Sequence, residues 1–286
     1  MYQKIVRINS VDNIEQPGIL YSPTAHTNKI VIHVHGLNGN FYENRFIDAL
    51  AKTYIDNNYA FLTFNNRGRD CIAELMVEDK FTIIGSCIER FKDCILDIDG
   101  VVEWAKTQGY KEIILEGHSY GCNKVLYYYN KKNNSSIKKV VLLAPCDIPS
   151  LIKKVLGDKE YNNIKEEATK LIYEKKEKKL INFPIMPNGK ISAETYYYDY
   201  LPDGENDFIR YYDDIDKENN ILNNIKIPVL IIFGDLDEYV LTQPIEIVKN
   251  YLINSFNNSS VKIIKGADHL YTRKCYDLCK IINENI

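Results

Sequence analysis

Gly117-His118-Ser119-Tyr120-Gly121 is the stretch whose residue types and spacing could do chemistry. It has the form G-x-S-x-G. Lys111 to Glu116, before it, reads as a short strand with an apolar centre, and Cys122 to Tyr129, after it, reads as a helix. A serine at so sharp a strand-to-helix turn sits on strained backbone, and glycines two residues to either side let strand and helix cross closely. The free N–H groups of the first helical turn then face the reacting centre. The chemistry this implies is nucleophilic, a serine hydroxyl attacking a carbonyl carbon.

Such a hydroxyl needs a base to take its proton. Of the five histidines, His26 lies in a polar loop, His33 within a strand and His35 in a glycine-rich turn. His118 adjoins the serine, and its side chain is expected to point away from it. His269 falls in a loop after the last expected strand, beyond Gly266, and is the candidate base. The base in turn needs a carboxylate to hold its tautomer and its charged form. Asp237, three residues past Gly234, is the candidate; Asp235 is the alternative, and turn chemistry competes for both. Asp268 is expected to shape the loop beside His269. Charge developing on the carbonyl oxygen needs two donors. The backbone N–H of Tyr120 should be one, and that of Leu37, in the turn His35-Gly36-Leu37-Asn38-Gly39, the other.

These residues must be delivered by a framework. Strand patterns fall at Ile5–Ile8, Gly18–Tyr21, Lys29–His35, Tyr59–Phe64, Lys111–Glu116, Lys138–Leu143, Ile227–Phe233 and Val261–Ile264. The first two are close enough for an antiparallel hairpin. Helical spacing covers 41–57, where Phe46, Leu50 and Tyr54 share a stripe, and 88–107, closed by Gly109. A further helix is expected over about 242–256, and a last one closes the chain. From residue 29 onward strands and helices alternate, which predicts a largely parallel sheet covered on both faces. Ligands then sit at the carboxyl ends of the strands, where His35, Arg67, Ser119 and Pro145 fall. Residues from about 70 to 86 read as a long charged loop.

Residues 147–225 break the rhythm. They are rich in Lys, Glu, Asn and Tyr, with a charged helix expected over 160–180 and four tyrosines between Ile191 and Leu201. With few aliphatics and no clear core of their own, they read as a helical cap resting on a main domain made of 1–146 and 226–286. The tyrosines could line an acyl or aromatic pocket or simply pack the cap.

Composition bounds the rest. The chain has 286 residues, 45% hydrophobic and 26% charged, with a net charge of -3, so nothing suggests a nucleic-acid surface. No apolar run approaches the ~18 residues needed to span a bilayer, and the N-terminus lacks the apolar core of a signal peptide. Seven cysteines in a long chain argue against a disulfide framework. Cys275 and Cys279 lack the partners a zinc site needs, and Cys122 is expected to be a small core residue beneath the nucleophile. Reduced, mostly buried thiols imply a cytoplasmic location.

Taken together, His35-Gly36, Arg67-Gly68, Gly117 to Gly121, Gly234 to Asp237 and His269 resemble the α/β-hydrolase-fold serine hydrolases over almost the whole chain. Gly85 to Asp99, with Glu89-Arg90-Phe91 and Asp93-Cys94, together with Lys124-Val125 after the elbow, are similar to a branch that includes fungal siderophore esterases. The resemblance implies an eight-stranded, mostly parallel sheet with the second strand antiparallel and a cap inserted after the sixth strand. It implies that Arg67 organises loops near the site. Where relatives often have a second glycine soon after Arg67-Gly68, this chain has Arg69-Asp70. Ser119, Asp237 and His269 follow the family's chain order.

The expected function is that of a serine esterase acting on small or medium ester substrates, with no metal or organic cofactor. A thioesterase or peptidase would use the same three residues, and a hydrolase fold could also serve as a non-catalytic ligand receptor. Oligomeric state is not legible.

Overall fold

In the computed structural model, residues 1–77, 80–211 and 220–286 are described. The first half of the chain contains β1 (Tyr2–Asn9), β2 (Glu15–Ser22), β3 (Lys29–Val34), α1 (Phe46–Asp56), β4 (Ala60–Phe64), β5 (Ala73–Val77), β6 (Lys80–Ile84), α2 (Cys94–Thr107), β7 (Glu112–His118), α3 (Tyr120–Lys132) and β8 (Ile137–Leu143). Then come α4 (Ile148–Tyr173), β9 (Leu180–Asn182), β10 (Lys190–Ser192), α5 (Ala193–Thr195), a π-helical turn at Tyr196–Tyr200 and α6 (Asn220–Asn223). The chain closes with β11 (Val229–Gly234), α7 (Ile245–Ser255), β12 (Ser259–Ile264) and α8 (Cys275–Asn285).

Eight strands form one sheet in the order β1-β2-β4-β3-β7-β8-β11-β12. β2 runs antiparallel to β1 and β4; the other neighbours are parallel. Solvent access explains the strand sequences. β4 and β11 are buried at every residue and read as near-continuous apolar runs, Thr63 in β4 being the one polar side chain, as expected for strands covered on both faces. β1, at the edge, is exposed at most positions. The four loops that carry the candidate residues leave the carboxyl ends of β3, β7, β11 and β12, so one rim of the sheet collects them.

Three stretches differ from expectation. The charged loop near residues 70–86 contains the antiparallel hairpin β5–β6, with Ala73 opposite Ile84 and Val77 opposite Lys80. Its charged positions hid the alternation of Lys80-Phe81-Thr82-Ile83-Ile84. The helix expected from residue 88 begins as a 3-10 turn at Phe91–Asp93 and becomes α-helical at Cys94. The charged helix of 160–180 starts earlier, at Ile148, and stops at Tyr173. It breaks at Gly157, whose φ of 73° leaves helical space. Leu180 belongs to β9 instead.

Between β8 and β11 the chain leaves the sheet. Its buried Tyr196 and Tyr200 pack on Phe183, with centroids 5.4 and 6.0 Å apart. Tyr200 also meets Tyr120 edge-on at 5.9 Å, so this segment touches the residue after Ser119. Part of the expected cap, 212–219, lies outside the described residues.

Candidate active site

Ser119 is the N-cap of α3, with φ 54° and ψ -126°, a strained conformation for a residue that is not glycine. Its neighbours explain how the strain is held. The Ser119 N–H donates to the Leu143 carbonyl at 2.8 Å. Gly117 and Gly121 are pressed together: a Cβ on Gly117 would lie 2.4 Å from the Gly121 oxygen, and one on Gly121 would lie 2.1 Å from the Val34 oxygen. Cys122 is buried below, its Sγ near the carbonyls of Gly117 and Leu143 at 3.1 and 3.2 Å. The N–H of Tyr120 belongs to the first helical residue, where no acceptor exists one turn earlier.

The loops after β11 and β12 bring Asp237 and His269 together. His269 Nδ1 donates to Asp237 Oδ1 at 2.9 Å, which leaves Nε2 as the proton-accepting nitrogen. The same carboxylate oxygen accepts the N–H groups of Tyr239 and Val240 at 3.1 and 2.9 Å. Asp237 is fully buried. Asp235 is used differently: its Oδ1 accepts the Gly266 N–H at 2.5 Å and ties the two loops. Asp268 accepts the Thr272 N–H at 2.7 Å and shapes its own loop. Tyr239 packs edge-on against His269 at 4.7 Å.

The loop after β3 runs close to Ser119: a Cβ on Gly36 would lie 2.9 Å from the Ser119 Cβ. Its carbonyl direction is set by His35. The Asn66 N–H donates to His35 Nε2 at 3.2 Å, so the ring proton sits on Nδ1, which donates to the Gly36 oxygen at 2.9 Å. Gly39 N–H reaches the same oxygen at 3.2 Å. In a trans peptide the N–H of Leu37 points opposite to that carbonyl, away from His35. Burial, with Lys124 nearby, pushes the His35 imidazole down to about 3, so it stays neutral.

Below these loops lies a buried polar layer. Lys124 Nζ donates to both oxygens of Glu89, at 2.8 and 3.1 Å, and to Asn66 Oδ1 at 3.1 Å. Thus Glu89 and Lys124, from two separate segments of the resemblance, meet as a pair. Arg67 binds Asp97 at 2.9 Å and Asp12 at 2.7 Å, holding the loop after β4 to α2 and to the turn after β1. Glu116 accepts from His33 in β3 at 2.7 Å and from the Tyr54 hydroxyl in α1 at 2.5 Å, not from any candidate catalytic residue. His118 turns onto Phe46 and donates Nε2–H to the His269 carbonyl at 2.9 Å. Lys124 is marked in the sequence only through the resemblance; its burial and its pairing with Glu89, like the His118 contact, have no local signal, because a lysine within a helix reads as solvated surface until its partner, far along the chain, is in place.

No helix among the described residues is long and apolar enough to cross a membrane. All seven cysteines are free.

The family model described as "Protein of unknown function (DUF1749)" matches residues 83–283. A Mycoplasma genitalium protein named "Putative esterase/lipase 3" is 26% identical over 182 residues, 61% of this chain and 63% of that protein. The chain thus spans just under two thirds of that relative's length. Among solved structures, Est1E from Butyrivibrio proteoclasticus with ferulic acid bound has a TM-score of 0.70 at 21% identity, covering 98% of this chain and 96% of the other. The α/β hydrolase GrgF from Penicillium sp. sh18 has a TM-score of 0.67 at 16% identity, covering 99% and 96%. Sheet order and likeness agree: the fold is the α/β-hydrolase fold.

Proposed function

We propose that this chain, which belongs to the DUF1749 family, is a serine hydrolase that cleaves small or medium carboxylic esters through an acyl-enzyme. The observation that carries the reading is the 2.9 Å bond from His269 Nδ1 to the buried Asp237, on the same rim of the sheet as a strained serine and two strands over from it. Ser119 Oγ attacks the ester carbonyl while His269 Nε2 takes its proton. The amides of Leu37 and Tyr120 hold the oxyanion. The tetrahedral intermediate collapses, His269 returns the proton to the departing alkoxide, and the alcohol leaves. Water, deprotonated by His269, attacks the acyl-enzyme and releases the acid. Asp237 holds the tautomer of His269 and stabilises its charged form. Residues 147–225 act as the cap that selects the substrate. Seven free thiols support a reducing, cytoplasmic setting.

The test is Ser119→Ala in the purified chain. Turnover of p-nitrophenyl esters and labelling by a fluorophosphonate should both vanish; survival of both defeats the mechanism. A panel of short and medium acyl esters, acyl-CoA and aminoacyl anilides assigns the leaving group. Feruloyl esters belong in it because Est1E holds ferulic acid.

A further inference from the structure

His118 immediately precedes Ser119, and its imidazole is almost wholly buried. Its ring packs, tilted by about 60°, against Phe46 at 4.9 Å and Tyr271 at 6.4 Å, and its centroid lies 4.9 Å from that of His269. A carbonyl oxygen can only accept, so the 2.9 Å contact to the His269 oxygen puts the ring proton on Nε2. Burial and the neighbouring His269 hold His118 well below the usual imidazole range, so it stays neutral and places no second positive charge beside the base.

The loop that carries His269 needs such a hold. It includes Gly266, Tyr271 and Arg273 at positive φ. Most of its other anchors sit at either side of the base: Gly266 N–H on Asp235, the Ala267 carbonyl on the Leu236 N–H, and the Tyr271 hydroxyl on the Ile232 carbonyl at 2.8 Å. At residue 269 the main-chain N–H makes a long 3.4 Å bond to Glu238 Oε2, and His118 holds the carbonyl at 2.9 Å.

We propose that His118 is a positioning residue which brackets nucleophile and base: the residue bonded to Ser119 holds the main chain of His269, fixing where Nε2 stands relative to Oγ. This rests on the reading of Ser119 and His269 as nucleophile and base. Small misplacements of reacting groups are costly in rate, so the bracket should show in turnover and not in substrate affinity.

The experiment compares His118→Leu, which removes the donor, with His118→Gln, whose terminal amide stands near the place of Nε2. Both are made in the full chain. Amide hydrogen exchange over residues 266–274 and steady-state kinetics on a p-nitrophenyl ester are measured. In the leucine chain, loop exchange should speed up by about tenfold or more, as expected when a local anchor is lost. Its kcat should fall by about tenfold or more with KM within about twofold. Glutamine should restore both. Unchanged loop exchange, unchanged kcat, a loss confined to KM, or a glutamine chain no better than the leucine chain overturns the proposal. If the leucine chain does not fold, His118→Asn, too short to reach the carbonyl, takes its place with the same expectations. Exchange reports the bracket even if Ser119→Ala keeps its turnover, so failure of the mechanism and failure of the bracket give different results.

Discussion

Lys124 Nζ lies 2.8 Å from Glu89 Oε2, and each side chain is only 1% exposed. The ammonium also sits 5.2 Å from the ring centre of Tyr120 and bonds Asn66, whose N–H fixes the tautomer of His35. One buried cation therefore packs beside the Tyr120 ring and bonds the residue that orients His35. The room is tight: a Cβ on Gly68 would lie 2.3 Å from the Glu89 carboxylate.

Breaking such a pair strands a charge. Lys124→Met should cost about 3–5 kcal/mol of stability, the range for removing one partner of a buried pair. Adding Glu89→Gln should recover part of that loss, because the remaining group is then neutral. Urea unfolding of the two singles and the double gives the coupling; strict additivity would mean the pair does not act as one.

Asp237 and Asp235 predict opposite outcomes. Asp237→Asn removes the charge that faces the imidazolium, and kcat should fall by roughly 10³–10⁴ in a folded protein. Asp235→Asn alters a loop tie at Gly266, and kcat should stay within about threefold, since catalysis needs the His269 partner and not this one. Equal losses in both would shift the acid's role away from Asp237.

His35 offers a test by chemistry and by pH. His35→Asn keeps a donor where Nδ1 stands, whereas His35→Leu frees the Gly36 carbonyl. The leucine chain should lose roughly tenfold in kcat, a fraction of the ~10²–10³ for losing a whole oxyanion donor, and the asparagine chain far less. The unfolded imidazole titrates near its ordinary 6.5 and the folded one near 3. Between those values the unfolded chain binds a proton that the folded chain refuses, so the contribution of His35 to stability is full above the unfolded value and falls as pH drops through the window. The asparagine chain should lose less stability on acidification, by up to about 1.4 kcal/mol per pH unit in that window. Parallel curves for both proteins would contradict a neutral, buried His35.

Two glycines separate activity from folding. On Gly36 a Cβ would press 2.9 Å from the Ser119 Cβ and 3.1 Å from the His118 carbonyl oxygen, a mild overlap beside the half-buried serine. Gly36→Ala should keep most of its thermal stability and lose most of its turnover. On Gly121 a Cβ would meet main chain, the Val34 oxygen at 2.1 Å and the His35 oxygen at 2.8 Å. Gly121→Ala should lose about 3 kcal/mol or more, at or beyond the usual cost of overpacking. Thermal unfolding and ester turnover on each variant check the contrast.

What could be read from the residues in order was what depends on near neighbours. The apolar runs of β4 and β11, the strand–Gly-x-Ser-x-Gly–helix order and the alternation after residue 29 are local patterns, and they sufficed for the eight-stranded sheet and its rim of loops. The β5–β6 hairpin escaped because charged residues masked its alternation, and the break in α4 escaped because a single Gly157 in a charged helix carries little periodic signal. Folding alone decided which of Asp235 and Asp237 faces His269. Both sit in one turn with the same chemistry, and only the packing of the β11 loop against the β12 loop sends one carboxylate to an imidazole and the other to a backbone N–H. It likewise decided that Lys124 is buried, because a charge enters the interior only where a partner from elsewhere in the chain, here Glu89, stands within hydrogen-bonding reach.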